Sequence, residues 1–165
     1  MQLKDMMSTA VVTVRPEATI AEIARLLIEN SISGMPVVDE EMRPVGIVSE
    51  SDLLRHQVEK EQADLWDGYA MMMSAGFAPE LQGAMLESAG ISAEKQQAIQ
   101  KVKARTANEL MTSPAVSMEE TEDITKAAKL MLDRRIKRLP VTRDGRLTGI
   151  VSRHSFVRLA VESGI

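Results

Sequence analysis

The chain has no cysteine in its 165 residues, which excludes a disulfide framework, thiolate catalysis and thiolate metal sites and fits a cytoplasmic location. Aromatic residues are nearly as scarce, with one Trp, one Tyr and two Phe. The stacking surface that single-stranded nucleic acid requires is therefore missing, and a net charge of −4 offers no general footprint for a polyanion of that kind. No apolar run approaches the roughly 18 residues of a membrane span. The N-terminus, Met1-Gln2-Leu3-Lys4-Asp5, shows no apolar core of a signal peptide. Two histidines, His56 and His154, lack the paired spacing of a zinc site. Phosphate loops, Gly-rich dinucleotide fingerprints and nucleophile elbows are absent from the sequence as well. These absences point away from an enzyme and from any required cofactor or metal. What is present, 44% apolar and 27% charged residues, is an ordinary soluble composition.

The chain's strongest positive signal is that it repeats itself. Lys4-Asp5-Met6-Met7-Ser8-Thr9 aligns with Asn108-Glu109-Leu110-Met111-Thr112-Ser113, and Pro36-Val37 aligns with Pro140-Val141. After one residue is lost from a turn, Gly46-Ile47-Val48-Ser49 matches Gly149-Ile150-Val151-Ser152. A shared order over this length reports the unit of the fold. We divide the chain into a first motif at 1–56, an insert at 57–107 and a second motif at 108–165. A unit this small leaves much apolar surface uncovered, so each copy is expected to need the other, and a second chain, to finish its core.

Charge separates the copies. Residues 4–56 carry five basic and nine acidic side chains, whereas 108–160 carry ten and seven. Arg134-Arg135-Ile136-Lys137-Arg138 reads either as a solvated helix end complementing the dipole or as an anion site.

Each copy reads as strand, helix, strand, strand, helix. Val11-Val12-Thr13-Val14 has β-branched strand character, and Thr19-Ile20-Ala21-Glu22 is a capping box opening a helix. Ile20, Ile23, Ala24, Leu27 and Ile28 share one face of it, as do Ile124, Ala127, Ala128, Met131 and Leu132 behind Asp123. Met35–Val38 and Val45–Val48 are predicted strands, and Asp144-Gly145 marks a tighter turn in the second copy. Helices begin near Ser51 and His154. In the insert, Leu65, Tyr69, Met72, Met73 and Gly76, then Leu81, Met85, Leu86 and Ala89, form an interrupted helical stripe, with a further polar helix expected from Ala93 to about Arg105. Methionines in such a stripe are expected to fill an irregular core rather than an adaptable binding face.

Gly46-Ile47-Val48-Ser49-Glu50-Ser51-Asp52-Leu53, with Met7-Ser8-Thr9, Pro36-Val37-Val38-Asp39 and the duplicated order, resembles the cystathionine beta-synthase (CBS) domain family. The resemblance covers both copies, about two thirds of the chain, and implies an α/β (α+β) fold: two βαββα motifs about a pseudo-twofold axis, their sheets packed together, plus an all-helical insert. Such tandem pairs, or Bateman modules, commonly form homodimers and bind adenosine-containing ligands between the copies. On that resemblance Asp52 is expected to hold ribose hydroxyls, with Ser49 at ribose or phosphate, while Ser8, Thr9 and Val11 with Val37 and Ile47 form an apolar slot for adenine. Lys137 and Arg138, just before Leu139-Pro140-Val141, stand where family members often place cations for phosphate; Ile150, Ser152 and Pro114 complete the candidate set. Asp52 aligns with Ser155, and Lys137-Arg138 with Ser33-Gly34, so each copy lacks what the other has. One dominant site with divided labour follows, Asp52 for ribose and Lys137 and Arg138 for phosphate. A simpler alternative makes Asp52 only a helix-start residue suited to the dipole. The expected function is non-enzymatic regulation by AMP, ADP, ATP or S-adenosylmethionine, as in energy sensing. The alternative is a ligand-independent scaffold whose insert, 60–105, docks a protein partner.

Overall fold

Local capping and turn chemistry sets the element boundaries in both copies. The computed structural model describes residues 1–74, 92, 94, 97 and 105–162, of which 66–74 as backbone only. A 3-10 turn at Leu3–Asp5 precedes α1 (Ile20–Glu29), β1 (Gly34–Val38), β2 (Pro44–Ser49) and α2 (Glu50–Ser74). The second copy supplies α3 (Ala107–Leu110), β3 (Met118–Glu119), α4 (Ile124–Asp133), β4 (Arg138–Arg143), β5 (Arg146–Ser152) and α5 (Arg153–Glu162). Thr19 Oγ1 accepts the Glu22 N–H at 3.3 Å, and the Glu22 carboxylate accepts the Thr19 N–H at 2.8 Å, closing the predicted capping box. Asp123 caps α4 by accepting the Thr125 N–H at 2.8 Å. Both helices end alike: Ser31 and Arg135 take φ of 51° and 53°, while Ile32 N–H reaches Leu27 O and Ile136 N–H reaches Met131 O, each at 3.0 Å. This is the Schellman closure, here made without glycine.

The antiparallel hairpins keep one register, with Gly34 opposite Ser49 and Arg138 opposite Ser152. Their turns account for the one-residue difference between copies. In the second, Asp144 and Gly145 have φ of 53° and 78°, the paired positive values of a two-residue hairpin turn. In the first, the Asp39 carboxylate accepts the Glu41 and Arg43 N–H groups and stabilises a longer loop.

Two expectations need correction. Val11–Val14 is not a strand; only Val14 forms a bridge, parallel to Val37, and its counterpart two-residue strand β3 pairs parallel with β4. The residues before Val14 are drawn away because Ser8 pairs with the other copy: Ser8 N–H donates to Ile150 O at 3.0 Å and Ile150 N–H returns to Ser8 O at 2.9 Å. Second, α2 runs unbroken for 25 residues and so joins the closing helix of the first copy to the start of the insert's stripe, two segments that the sequence reads as separate. On it Leu65 is 74% exposed, whereas Asp52, His56 and Ala63 are buried; the side chains of Tyr69, Met72 and Met73, expected in one stripe with Leu65, lie outside the described residues. Glu94 and Gln97 are helical; the remainder of the expected insert helices, including Gly76, Leu81, Met85, Leu86 and Ala89, lies outside the described residues.

The two cores are completed by exchange. Leu3 and Met6, from the start of the chain, are buried with Ala127, Met131, Leu139, Val141 and Val151 of the second copy. Ala107 and Leu110 are buried with Val14, Ile23, Leu27, Met35, Val37 and Val48 of the first. Backbone bonds repeat the exchange, Leu3 N–H to Glu122 O at 2.9 Å and Ala107 N–H to Ala18 O at 2.9 Å. Burying a leucine this completely contributes about 1.5–3 kcal/mol, which ties each copy to the other. The same crossing explains two sequence glycines: a side chain at Gly46 would collide with Met111, and one at Gly149 with Met7. Among the described residues no helix is long and apolar enough to cross a membrane.

Candidate functional site

Because Ser8 and Thr112 cross over, each hairpin faces the leading segment of the other copy. Thr112 N–H donates to Ile47 O at 2.9 Å, and Ile47 N–H to Thr112 O at 3.1 Å. Two related clefts result. The first, about 350 Å³, is lined by Ile47, Ser49, Asp52 and Arg55 from the first copy and by Thr112, Pro114, Val116, Lys137 and Arg138 from the second. The other, about 530 Å³, carries Ser8, Val11, Ile150, Ser152, Arg153 and His154. Ser33, Lys137 and Arg138 form a wall shared by both.

Asp52 sits at the third residue of α2 and is 4% exposed. Its Oδ2 accepts both the Ser49 N–H and the Ser49 hydroxyl at 2.8 Å, so the carboxylate and Ser49 cap the helix start. Its Oδ1 has a looser partner, Arg55 Nη1 at 3.3 Å. The capping role therefore engages one oxygen, and an ionised carboxylate retains acceptor sites for further hydroxyls. In the second copy Ser155 Oγ accepts the Ser152 N–H at 3.1 Å: the cap survives there while the charge is gone.

Arg138 reaches the first cleft through space its own counterpart leaves open. It aligns with Gly34, and a Cβ built on Gly34 would lie 2.8 Å from Arg138 Nη1 and 2.9 Å from Val48 O. The guanidinium donates to Ser33 Oγ. Burial pushes its pKa below the usual arginine value, opposed by the negative charges of Glu50 and Asp52. An arginine stays protonated even so, and a half-buried, partly desolvated cation beside a cleft attracts an anion more strongly than a fully hydrated one.

The sequence-expected residues are thus divided. Asp52, Ser49, Ile47, Pro114, Lys137 and Arg138 line the first cleft; Ser8, Val11, Ile150 and Ser152 line the second, together with the shared cations. The single adenine slot of Ser8, Val11, Val37 and Ile47 does not exist as drawn, because the crossover carries Ser8 and Val11 away from Ile47. Val37 is 0% exposed within the first core, and exposed Thr9 lines neither cleft. Sequence reasoning missed Thr112, Ala115 and Val116, which stand at the repeat offset from Ser8, Val11 and Val12 and take their place beside Ile47. It also missed Arg55, whereas Arg135, which lines the same cleft, belongs to the run 134–138 read as a candidate anion site. Among the described residues no cluster of His, Cys, Asp and Glu could hold a metal ion.

A duplicated motif with exchanged cores and clefts between its copies is the architecture of a tandem CBS pair. The CBS domain family profile matches residues 3–59 and 107–162, and the chain belongs to that family. It is 33% identical over 150 residues to the CBS domain-containing protein CBSX1, chloroplastic, of Arabidopsis thaliana, covering 90% of this chain and 58% of that one. The chain thus spans little more than half the length of that relative. Protein MJ1426 of Methanocaldococcus jannaschii, described as uncharacterized, is 31% identical over 162 residues, covering 98% and 92% of the two chains. Among solved structures, CBSX2 of Arabidopsis thaliana in complex with AMP superposes with a TM-score of 0.72 at 25% identity, over 99% of this chain and 98% of that one. The CBS pair of protein MJ0100, in complex with 5′-methylthioadenosine and S-adenosyl-L-methionine, has a TM-score of 0.64 at 22% identity over 99% and 98%, a likeness of fold.

Proposed function

We propose that the chain is a non-enzymatic regulatory module that binds an adenosine nucleotide in the Asp52 cleft. The observation that carries this reading is the meeting of Asp52 with Lys137 and Arg138 on one cleft between the copies. Asp52 would accept ribose hydroxyls, exchanging part of its cap, while Lys137 and Arg138 hold phosphate and Ile47, Pro114 and Val116 flank the base. The AMP complex of CBSX2 supports the ligand class. Ligand contacts both copies in such a cleft, so it favours the relative orientation that fits it, by no more than its differential affinity.

Calorimetric titration with AMP, ADP, ATP and S-adenosylmethionine tests the reading. A charged hydrogen-bond partner is worth about 1.5–3 kcal/mol, so Asp52→Ala should weaken the best ligand at least tenfold. The alternative, a ligand-independent scaffold working through its insert, draws on the cap that already engages Asp52 and on the serine at 155. It expects no binding across the panel from folded protein.

The output would pass through a homodimer. Ile28, Leu54 and Val58 are exposed on α1 and α2, and their repeat counterparts Leu132, Val157 and Val161 are exposed on α4 and α5. Apolar patches of this kind mark interfaces. A second copy offers the same two faces, so a twofold dimer covers both at once. Ile28→Asp with Leu132→Asp should convert a sedimenting dimer to monomer; a wild-type chain that sediments as monomer overturns the assembly.

A further inference from the structure

We propose that the second cleft is an anion site that takes a di- or triphosphate group and does not recognise a nucleoside. The repeat inverts the charge at the mouth of the two clefts. At the start of α2 stand Glu50, Ser51 and Asp52; at the start of α5, in the same three positions, stand Arg153, His154 and Ser155. The second cleft is therefore lined by Arg153, Lys137 and Arg138 with no carboxylate among its lining residues, whereas the first sets Glu50 and Asp52 against its cations. Neither Lys137 nor Arg153 has an ion-pair partner among the described residues. Three permanent cations around about 530 Å³ match an anion of three or four charges better than the single phosphate of a mononucleotide.

Recognition of ribose is removed at the same place. Ser155 Oγ already accepts the Ser152 N–H, and one hydroxyl cannot replace a carboxylate that accepts from two sugar hydroxyls. The hydroxyls of Ser8, Ser33 and Ser152 can donate to phosphate oxygens, and charge-assisted bonds from Arg153 would dominate. Because Lys137 and Arg138 are common to both clefts, occupants of the two compete for the same cations. Each ligand should weaken the other by the same factor.

Titration of the intact protein with sodium pyrophosphate tests the proposal, and it is separable from the nucleotide reading because AMP is titrated independently. Saturable pyrophosphate binding is expected, weakened at least tenfold in Arg153→Glu, while AMP affinity in that variant is unchanged or improved. The first copy carries Glu50 at this position, so the substitution suits a helix start. Adenosine should not displace pyrophosphate. In Asp52→Ala, displacement by ADP would assign the site to a nucleotide's phosphate tail and lack of displacement would assign it to the free anion; both sustain the proposal. It is overturned if pyrophosphate fails to bind, if Arg153→Glu binds it as wild type does, or if adenosine displaces it.

Discussion

At the start of α2 the chain reads Glu50-Ser51-Asp52, and one repeat later, at the start of α5, it reads Arg153-His154-Ser155. The backbones around these positions are alike: a hairpin strand ending in serine, a side chain three residues on that returns to cap it, and a crossing segment paired to the strand. The charges are opposite. A duplicated fold therefore leaves its surface free to diverge, because the burial and backbone bonding that hold each cleft do not depend on which groups line it.

The comparison can be broken first at the exchanged cores, where effects should be largest. Leu3→Ala and Leu110→Ala each remove a buried side chain, at a cost of about 2–5 kcal/mol. Hydrogen exchange would locate the damage: Leu3→Ala should loosen β4 and β5, and Leu110→Ala should loosen β1 and β2. Damage confined to the copy in which each leucine is encoded would contradict the exchange. The helix caps provide a smaller and more symmetrical check. Thr19→Ala and Asp123→Ala should each lower the chemical denaturation midpoint, by about 1 kcal/mol of stability, since both side chains accept a helix-start N–H.

Acidity separates the copies more subtly. His56 is buried on α2, where Nδ1 has no hydrogen-bond partner among the described residues, and its counterpart in the second copy is Leu159. Burial holds its pKa below the usual histidine value, reinforced by Arg105 and Lys60 and opposed by Glu59. A histidine kept neutral by the fold binds more protons once unfolded, so its contribution is full above about pH 6.5 and falls as pH drops through that value toward the lower folded pKa. Stability measured between about pH 5 and 8 should show this slope, and His56→Leu should flatten it. An unchanged slope would remove His56 from the account.

Much of this was legible in the sequence. The repeat, the Thr19 and Asp123 caps, the Asp144-Gly145 turn and the hairpins rest on local patterns, and local physics was enough to read them. What could not be read was the partner of each segment. Nothing in Met6-Met7-Ser8-Thr9 states that it docks on the other copy, because apolar residues bury equally well against either core. That one unknown produced three errors: the strand at Val11–Val14, the adenine slot that joined Ser8 to Ile47, and the omission of Thr112 and Val116. The meeting of Asp52 with Lys137 and Arg138 escaped this fault, since it drew on complementary gaps in the two copies. The continuity of α2 was hidden because the mostly polar residues 57–64 separate the helix start near Ser51 from the stripe that begins at Leu65.

The most direct test is a crystal structure of the protein grown with AMP. The account expects ribose on Asp52, phosphate near Lys137 and Arg138, the base between Ile47 and Val116, and no nucleoside in the cleft of Ser155. Adenosine bound beside Ser155, with the Asp52 cleft empty, would contradict it.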